Sequence, residues 1–167
     1  VVVSVGNARP SKNYHRLCKS FGRFREDTDP KSKLILIGSG HENESYAKGE
    51  GIETPGKVSV KELVQILERA SVYIQPSVAD AFPVASLEAM LSATPTIVTE
   101  QVGTKELVPK DQVSSSTEDG IYNCMVNCHE MGEVERIERG KDHRQRVWGL
   151  TEKNQAKEFR DAIGRLV

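Results

Sequence analysis

Short apolar runs and helix-periodic segments alternate along the first two thirds of the chain. Each run is rich in Val, Ile, Leu or Thr and is typical of a buried strand. Between the runs, apolar residues recur at every third or fourth position, as on one face of a helix. The runs occupy residues 1–5, 34–37, 72–74, 96–98 and 113–114, and the periodic segments occupy 11–27, 60–70 and 82–91. Because parallel strands need crossover connections, this alternation predicts an α/β fold with a doubly wound parallel sheet.

Capping residues predict where the helices begin. Ser11 is expected to cap the first helix, and Ser59 with Glu62 matches a capping box at the start of the second. The third helix is expected over 82–91, with Pro83 in its tolerant first turn. The segment 41–57 is too polar for a core and is expected to lie at the surface. The second helix is predicted to bury a face made of Val60, Leu63, Val64, Leu67 and Ala70.

The last third of the chain is predicted to be mostly helical. We therefore expect a single domain over 1–167, with an α/β core over 1–115 and a helical end over 116–167. The first face in this end is predicted to consist of Ile121, Met125, Cys128 and Met131, and the second of Val134, Ile137 and Val147. Thr151 is expected to cap a final helix that carries Ala156, Phe159, Ile163 and Leu166.

Composition and charge exclude several classes of protein. Apolar residues make up 37% and charged residues 28%, which is ordinary for a globular domain. The net charge of −1 argues against a general nucleic-acid binder. The apolar runs are far shorter than the ~20 residues of a membrane span. Three cysteines make no disulfide framework, so we expect a cytoplasmic location. Because Val1 already belongs to a strand, we expect a domain cut from a longer protein.

Ligands of doubly wound sheets bind at the carboxyl ends of the strands. The loop after the first strand contains Gly6, which lets another group approach the backbone, and Lys12, which adds positive charge near a helix start. Together these residues could hold a phosphate. A plain polar loop with a solvated lysine is the alternative.

Two further loops carry candidate chemistry. Asp80 and Glu88 lie eight positions apart, before and within the third helix, and carboxylates there suit the hydroxyl groups of a sugar or ribose. The alternative is a helix cap at Asp80 and a solvated face at Glu88. Gly103 begins a short helical turn that exposes backbone N–H groups for an anion, or it belongs to a simple capping turn.

The order of these three loops along the chain resembles that in the C-terminal half of a GT-B glycosyltransferase of the family 4 type. The resemblance covers about residues 1–110. The family pattern Gly-Arg-x-x-Pro-x-Lys is matched by Gly6, Asn7, Pro10 and Lys12, and Gly-x-Gly by Gly38 and Gly40. The pattern Pro-Ser-x-x-Glu-Gly-Phe-Gly followed by Glu-Ala-Met is matched by Pro76, Ser77, Asp80, Ala81, Phe82, Pro83, Glu88, Ala89 and Met90. The patterns Ala-x-Gly-x-Pro and Gly-Gly-x-x-Glu are matched by Ser92, Ala93, Pro95, Val102, Gly103 and Glu106.

The resemblance implies a Rossmann-like domain that binds the nucleotide-diphosphate sugar of a retaining transferase. It implies that Lys12 neutralises the donor diphosphate, that Glu88 holds the ribose hydroxyls and that Asp80 lies beside the donor sugar. These three are the expected catalytic residues. The expected donor-binding residues are Gly6, Asn7, Arg9, Gly38, Ser77, Ala81, Phe82, Gly103 and Thr104. No metal or other cofactor is expected, because a fixed cation and a helix dipole stabilise the departing diphosphate.

Some positions depart from the family pattern. Asn7 replaces an arginine, so one positive charge is missing, although Arg9 is close in sequence and could compensate. Asp80 replaces a glutamate and is one methylene shorter. Ala81, Ala93 and Val102 replace glycines, and the branched side chain of Val102 is expected to disfavour close ligand approach.

The resemblance also sets the expected partners. These are the nucleotide-sugar donor, a glycan or lipid-linked acceptor and an N-terminal domain of the same protein, with no nucleic acid. Two alternatives stay open. One is a non-catalytic nucleotide-sugar-binding or regulatory module. The other is a nicotinamide-dependent oxidoreductase, which is disfavoured because Gly6 begins no Gly-x-Gly-x-x-Gly pattern.

Two clusters in the helical end have a structural and a functional interpretation. Cys124, Cys128 and His129 are interpreted as packing residues, because no second ligand pair completes a zinc site. A second, basic cluster is interpreted as a solvated helix face, with contact to anionic lipid or to an acidic lipid-linked acceptor as the alternative. The cluster consists of Lys141, His143, Arg144 and Arg146.

Overall fold

A computed structural model describes residues 1–150 as one parallel sheet flanked by helices. The helix expected after Thr151, with Ala156, Phe159, Ile163 and Leu166, lies outside the described residues. The strands are β1 (Val2–Val5), β2 (Leu34–Ile37), β3 (Ile52–Gly56), β4 (Val72–Gln75), β5 (Thr96–Thr99) and β6 (Val113–Ser114). Their spatial order is β3-β2-β1-β4-β5-β6, and every pair is parallel. The predicted doubly wound sheet is confirmed, and its strand order reverses between β1 and β4.

Helices cover both faces of the sheet. They are α1 (Tyr14–Asp27), α2 (Val60–Arg69), α3 (Val84–Leu91), α4 (Glu118–Glu130) and α5 (Gly132–Trp148). Successive strand residues point to opposite faces. Accordingly, Val2 packs with the buried residues of α1 and α4, whereas Val3 packs with those of α2 and α3. The helix that follows β1 therefore lies on one face of the sheet, and the helix that follows β4 lies on the other.

The start of α1 differs from the prediction. Ser11 is not its cap, because Pro10–Lys12 forms a separate 3-10 turn and the helix begins at Tyr14. The preceding residue is Asn13, which is buried and has the left-handed backbone angle φ 59°. Its Nδ2 donates to the carbonyl oxygens of Pro76 and Ser116, each at 3.0 Å. Long-range hydrogen bonds, rather than a local cap, thus fix this helix start.

The capping box of α2 is confirmed, but part of its predicted face is wrong. Glu62 N–H donates to Ser59 Oγ, and Ser59 N–H donates to Glu62 Oε2. Val60 is 78% exposed and Val64 is also exposed, so neither belongs to the core. The side chains that pack on the sheet are instead those of Leu63, Ile66, Leu67 and Ala70.

The polar segment 41–57 is more ordered than predicted. The segment contains β3, an edge strand whose residues alternate between partly buried and exposed. The first residue of the segment, His41, is fully buried. An edge strand buries little, so it can be polar and can include Pro55. The third helix also differs, because α3 begins at Val84 and leaves Phe82 and Pro83 in the preceding loop.

The helical end follows the prediction in α4, but in α5 only Val147 of the predicted face is buried. Ile121, Met125 and Cys128 are buried as predicted. Val134 and Ile137 are exposed instead, at 73% and 48%. The residues of α5 that face the core are Gly140, His143 and Val147. Because His143 is buried, it does not belong to an exposed basic cluster.

Cys124 and Cys128 are free thiols, and burial raises the pKa of each to about 11. Within residues 1–150, no group of three or more His, Cys, Asp and Glu side chains is placed to hold a metal ion. In the same part of the chain, no helix has the length and apolar character needed to cross a membrane.

Close packing against the α3–β5 connection holds α5 in place. A Cβ on Gly140 would lie 1.9 Å from the carbonyl oxygen of Ala93, so only glycine allows this approach. His143 Nδ1 accepts a hydrogen bond from Thr96 N–H at 3.2 Å. Val147 packs with Met90 in the core. These three contacts, together with the ion pair between Arg139 and Asp111, hold the helix in place.

We predict that Gly140→Ala lowers the free energy of unfolding by about 1–3 kcal/mol, the usual cost of overpacking. Chemical denaturation measures this change. Gly22→Ala is the matched control, because Gly22 also lies within a helix but has nothing within 4 Å of a new Cβ. Alanine there should stabilise the protein by about 1 kcal/mol through helix propensity. Equal effects in the two variants would contradict the packing contact.

We also predict that His143 makes the protein sensitive to acid. Burial lowers its pKa from 6.5 to about 4, so the unfolded chain binds the proton more tightly than the folded chain. Stability is therefore lost as the pH falls from 6.5 towards 4, by about 2 kcal/mol between pH 7 and pH 5. Denaturation at the two pH values measures this loss, which should shrink in His143→Asn. An unchanged loss in that variant would refute the assignment.

Candidate functional site

Doubly wound sheets bind ligands in a crevice between the loops at which the strand order reverses, and here these are the loops after β1 and β4. Lys12 Nζ lies 2.5 Å from Asp80 Oδ2, and this ion pair spans the crevice. The two side chains are 23% and 17% exposed. Val78 N–H also donates to the carbonyl oxygen of Ser11 at 2.9 Å. The structure thus brings together two charged residues that lie 68 positions apart in the sequence.

Backbone contacts join the loop after β1 to the loop after β2. Gly6 N–H donates to Ile37 O, and Ser39 N–H donates to Asn7 Oδ1 at 3.1 Å. A Cβ on Gly38 would lie 2.1 Å from Gly6 O, so the glycine allows one backbone to pass directly over the other. Asn7, where the family pattern has arginine, therefore links these loops. Arg9 is exposed, and within residues 1–150 its side chain has no ion-pair partner.

The loop after β4 packs against the loop after β5. Gly103 N–H donates to Asp80 O at 3.0 Å, and a Cβ on Gly103 would lie 1.8 Å from Ala81 O. Asp80 also pairs with Val102 as a short parallel bridge. Ala81 and Phe82 are exposed at the rim. These contacts fix the backbone that carries Asp80.

Val102 has an ordinary backbone rather than a glycine-like one. Its backbone is extended, with φ −100° and ψ 126°, which suits a branched residue. Its side chain is fully buried and packs with Met90 and Val98. Its side chain therefore points into the core.

Ser77 and Thr104, both predicted to bind the donor, have buried side chains. Ser77 Oγ accepts a hydrogen bond from Gln75 Nε2 at 2.8 Å. The hydroxyl groups of Thr104 and Ser86 form a buried hydrogen bond of 2.9 Å. Their side-chain hydroxyl groups are already hydrogen-bonded within the protein, so only their backbone atoms are available to contact a ligand.

Glu88 lies in α3 with a half-buried carboxylate. Among the described residues, no side chain forms an ion pair or hydrogen bond with it. Burial raises the pKa of this carboxyl group. Burial raises the pKa of Tyr73 well above its ordinary value, and the negative charges of Glu88 and Asp80 add to this effect. A half-buried, unpaired carboxylate is an available acceptor for ligand hydroxyl groups.

The sequence interpretation missed two residues of this edge, Asn13 and His41. Asn13 fixes the start of α1 beside Lys12, and His41 hydrogen-bonds the carbonyl oxygen of Gly6. Asparagine directly before a helix-periodic segment was a usable signal, because it tolerates the left-handed conformation. His41 offered no such local signal.

We predict that Glu88→Gln stabilises the protein at pH 7, because it removes an unpaired charge from a half-buried position. The raised pKa means that the folded chain favours the protonated acid, so the cost appears as the pH rises above about 4.3, the ordinary value. The gain in melting temperature should vanish at pH 3, where the wild-type carboxyl is neutral. Thermal unfolding at both pH values tests this, and an equal gain at pH 3 would contradict it.

Comparisons with known proteins identify the family and the fold. The family model described as glycosyl transferases group 1 matches residues 1–118. No curated protein matches the chain. The catalytic domain of cholesterol-alpha-glucosyltransferase from Helicobacter pylori has a TM-score of 0.76 and 16% identity, over 90% of this chain and 98% of that one.

Two larger proteins contain the same fold. Sucrose-phosphate synthase from Thermosynechococcus elongatus has a TM-score of 0.78 and 18% identity, over 98% of this chain and 46% of that one. The UDP-forming trehalose-phosphate synthase from Burkholderia xenovorans has a TM-score of 0.75 and 15% identity, over 97% of this chain and 42% of that one. The chain thus spans less than half the length of these two. By its family match and its GT-B fold, the chain belongs to the group 1 glycosyl transferases.

Proposed function

We propose that this chain is the donor-binding half of a retaining glycosyltransferase. It binds a nucleotide-diphosphate sugar in the crevice and takes part in transferring the sugar to a glycan, a lipid-linked acceptor or another acceptor. The observation that carries the proposal is the meeting of Lys12 and Asp80 across the crevice. A crevice at the point where the strand order reverses is the usual ligand site of such sheets.

Lys12 is proposed to bind the diphosphate, which is the leaving group. Breaking the bond between sugar and phosphate builds negative charge on the diphosphate, and a fixed cation in a half-buried position stabilises that charge. The ligand then replaces Asp80 as the partner of Lys12. Arg9, exposed at the same loop, is proposed as the second cation in place of the arginine that Asn7 replaces.

The two carboxylates are proposed to recognise hydroxyl groups. Glu88 is free to accept hydrogen bonds from the ribose diol, and Asp80, once released from Lys12, accepts from the sugar. Backbone N–H groups in the two loops around Ala81, Phe82, Gly103 and Thr104 are proposed to contact the sugar and phosphates. We propose no metal in this site, because Lys12 and the backbone dipoles supply the positive charge.

The remaining parts of the reaction are proposed to come from outside this chain. An N-terminal domain of the same protein would close over the donor and supply the acceptor site. We propose a cytoplasmic protein of glycan biosynthesis, which reaches a lipid-linked acceptor by peripheral contact with the membrane.

A non-catalytic nucleotide-sugar-binding module is the second candidate. The hydrogen bond from Ser39 N–H to the Asn7 side chain favours it, because the residue in the arginine position has a structural role. Tight donor binding without any transfer by the whole protein would support this candidate.

We predict that Lys12→Ala and Glu88→Ala each weaken nucleotide binding by about 1–3 kcal/mol, the range for hydrogen bonds to charged groups. Calorimetric titration of the whole protein with UDP, GDP and ADP measures the effect. UDP comes first, because the Burkholderia protein is described as UDP-forming. Lys33→Ala is the matched control for Lys12, because Lys33 forms an ion pair with Glu53 and precedes β2, at the opposite edge of the sheet.

Selective binding of one nucleotide, reduced in both site variants and unchanged in the control, would support the donor site. Unchanged affinity in both variants would refute the assignment of these residues. A wild-type protein that binds none of the three nucleotides would refute the proposed function.

A further inference from the structure

His41 is a fully buried histidine beneath the loop after β1. Its Nε2 lies 2.8 Å from the carbonyl oxygen of Gly6, and its Nδ1 lies 3.3 Å from the hydroxyl of Tyr46. A carbonyl oxygen can only accept, so Nε2 carries the proton. Burial raises the pKa of Tyr46 to about 12, so this phenol keeps its proton and can donate to Nδ1. Tyr46 thus sets the tautomer that lets His41 hold Gly6.

The Gly6 peptide has little freedom in this environment. A Cβ on Gly6 would lie 2.6 Å from the hydroxyl of Tyr14, and one on Gly38 would lie 2.1 Å from Gly6 O. The ring of Tyr14 also packs edge-to-face against His41, with centroids 4.5 Å apart. The peptide is therefore in contact with Tyr14, Gly38 and His41, and its carbonyl oxygen points to His41.

The Gly6 carbonyl and the Asn7 N–H belong to the same peptide group. The bond is trans, so its N–H points opposite to its carbonyl oxygen, away from His41. His41 belongs to the loop after β2, which flanks β1 on the side away from β4. The Asn7 N–H is therefore turned towards the crevice that Lys12 spans. No acceptor among residues 1–150 is hydrogen-bonded to it.

We propose that His41 is a positioning residue that holds the Gly6–Asn7 peptide so that the Asn7 N–H donates to the diphosphate of the donor. This inference rests on the proposed function. A backbone donor that is fixed before the ligand arrives costs no reorganisation when charge develops on the leaving group. It also supplies part of the positive potential that is missing because position 7 is not arginine.

Substitutions at position 41 separate positioning from simple packing. His41→Phe keeps the bulk of the ring but removes the donor to Gly6 O, and His41→Gln keeps a donor near the position of Nε2. Tyr46→Phe is a milder variant that removes only the hydroxyl that sets the tautomer. Inorganic pyrophosphate is the probe, because it reports on the diphosphate site whatever base the protein prefers.

We expect His41→Phe to bind pyrophosphate about tenfold more weakly in calorimetric titration of the whole protein, and Tyr46→Phe to show a smaller loss. His41→Gln should keep most of the affinity. The amide proton of Asn7 should shift downfield on adding pyrophosphate in the wild type and in His41→Gln, but not in His41→Phe. A packing role alone would not move this NMR signal.

The outcomes separate this inference from the proposed function. If the wild type and Lys12→Ala bind pyrophosphate equally, the proposed diphosphate site itself is wrong. If Lys12→Ala weakens binding but His41→Phe and Tyr46→Phe leave both the affinity and the Asn7 shift unchanged, the positioning role of His41 is overturned. Should His41→Phe fail to fold, Tyr46→Phe decides the question by the same two measurements.

Discussion

The reversal of strand order between β1 and β4 is the constraint on which the rest of the site depends. All six strands are parallel, so their carboxyl ends meet at one edge. The chain after β1 turns to the helices on one face, and the chain after β4 turns to those on the other. Sheets of this topology bind ligands between the two loops. The Lys12–Asp80 ion pair joins the two loops at this point.

The site residues are held by backbone packing as much as by side chains. Gly38 allows the loop after β2 to lie on Gly6, and Gly103 allows the loop after β5 to lie on Ala81. Such contacts leave the loops few alternatives, so the charged groups keep their positions without a ligand. Glu88 differs from these stabilising contacts, because its carboxylate is charged and unpaired and therefore lowers the stability of the folded chain. A site that binds polar ligands often carries such a cost.

The sequence predicted well what local patterns determine. The runs at 34–37 and 72–74 became central strands because a buried parallel strand needs a continuous apolar segment. The capping box at Ser59 formed because its hydrogen bonds are local. Features fixed by distant contacts were missed. The buried face of α5 depends on the approach of Gly140 to Ala93, and β3 is an edge strand that needs few apolar residues. The sequence likewise indicated Lys12 and Asp80 as site residues, but not that they pair with each other.

The ion pair between Lys12 and Asp80 is compatible with the proposed binding of a diphosphate by Lys12. Partly exposed ion pairs contribute about 0–1 kcal/mol, because solvent screens the charges and the side chains lose entropy. A hydrogen bond from a charged donor to a phosphate oxygen contributes about 1.5–3 kcal/mol. A diphosphate also offers several oxygens and more charge than one carboxylate. Under the proposed function, the exchange of partners is therefore favourable, and it would free Asp80 to accept hydrogen bonds from the sugar when the donor binds. The shorter side chain of Asp80, compared with the glutamate of the family pattern, is consistent with this double role.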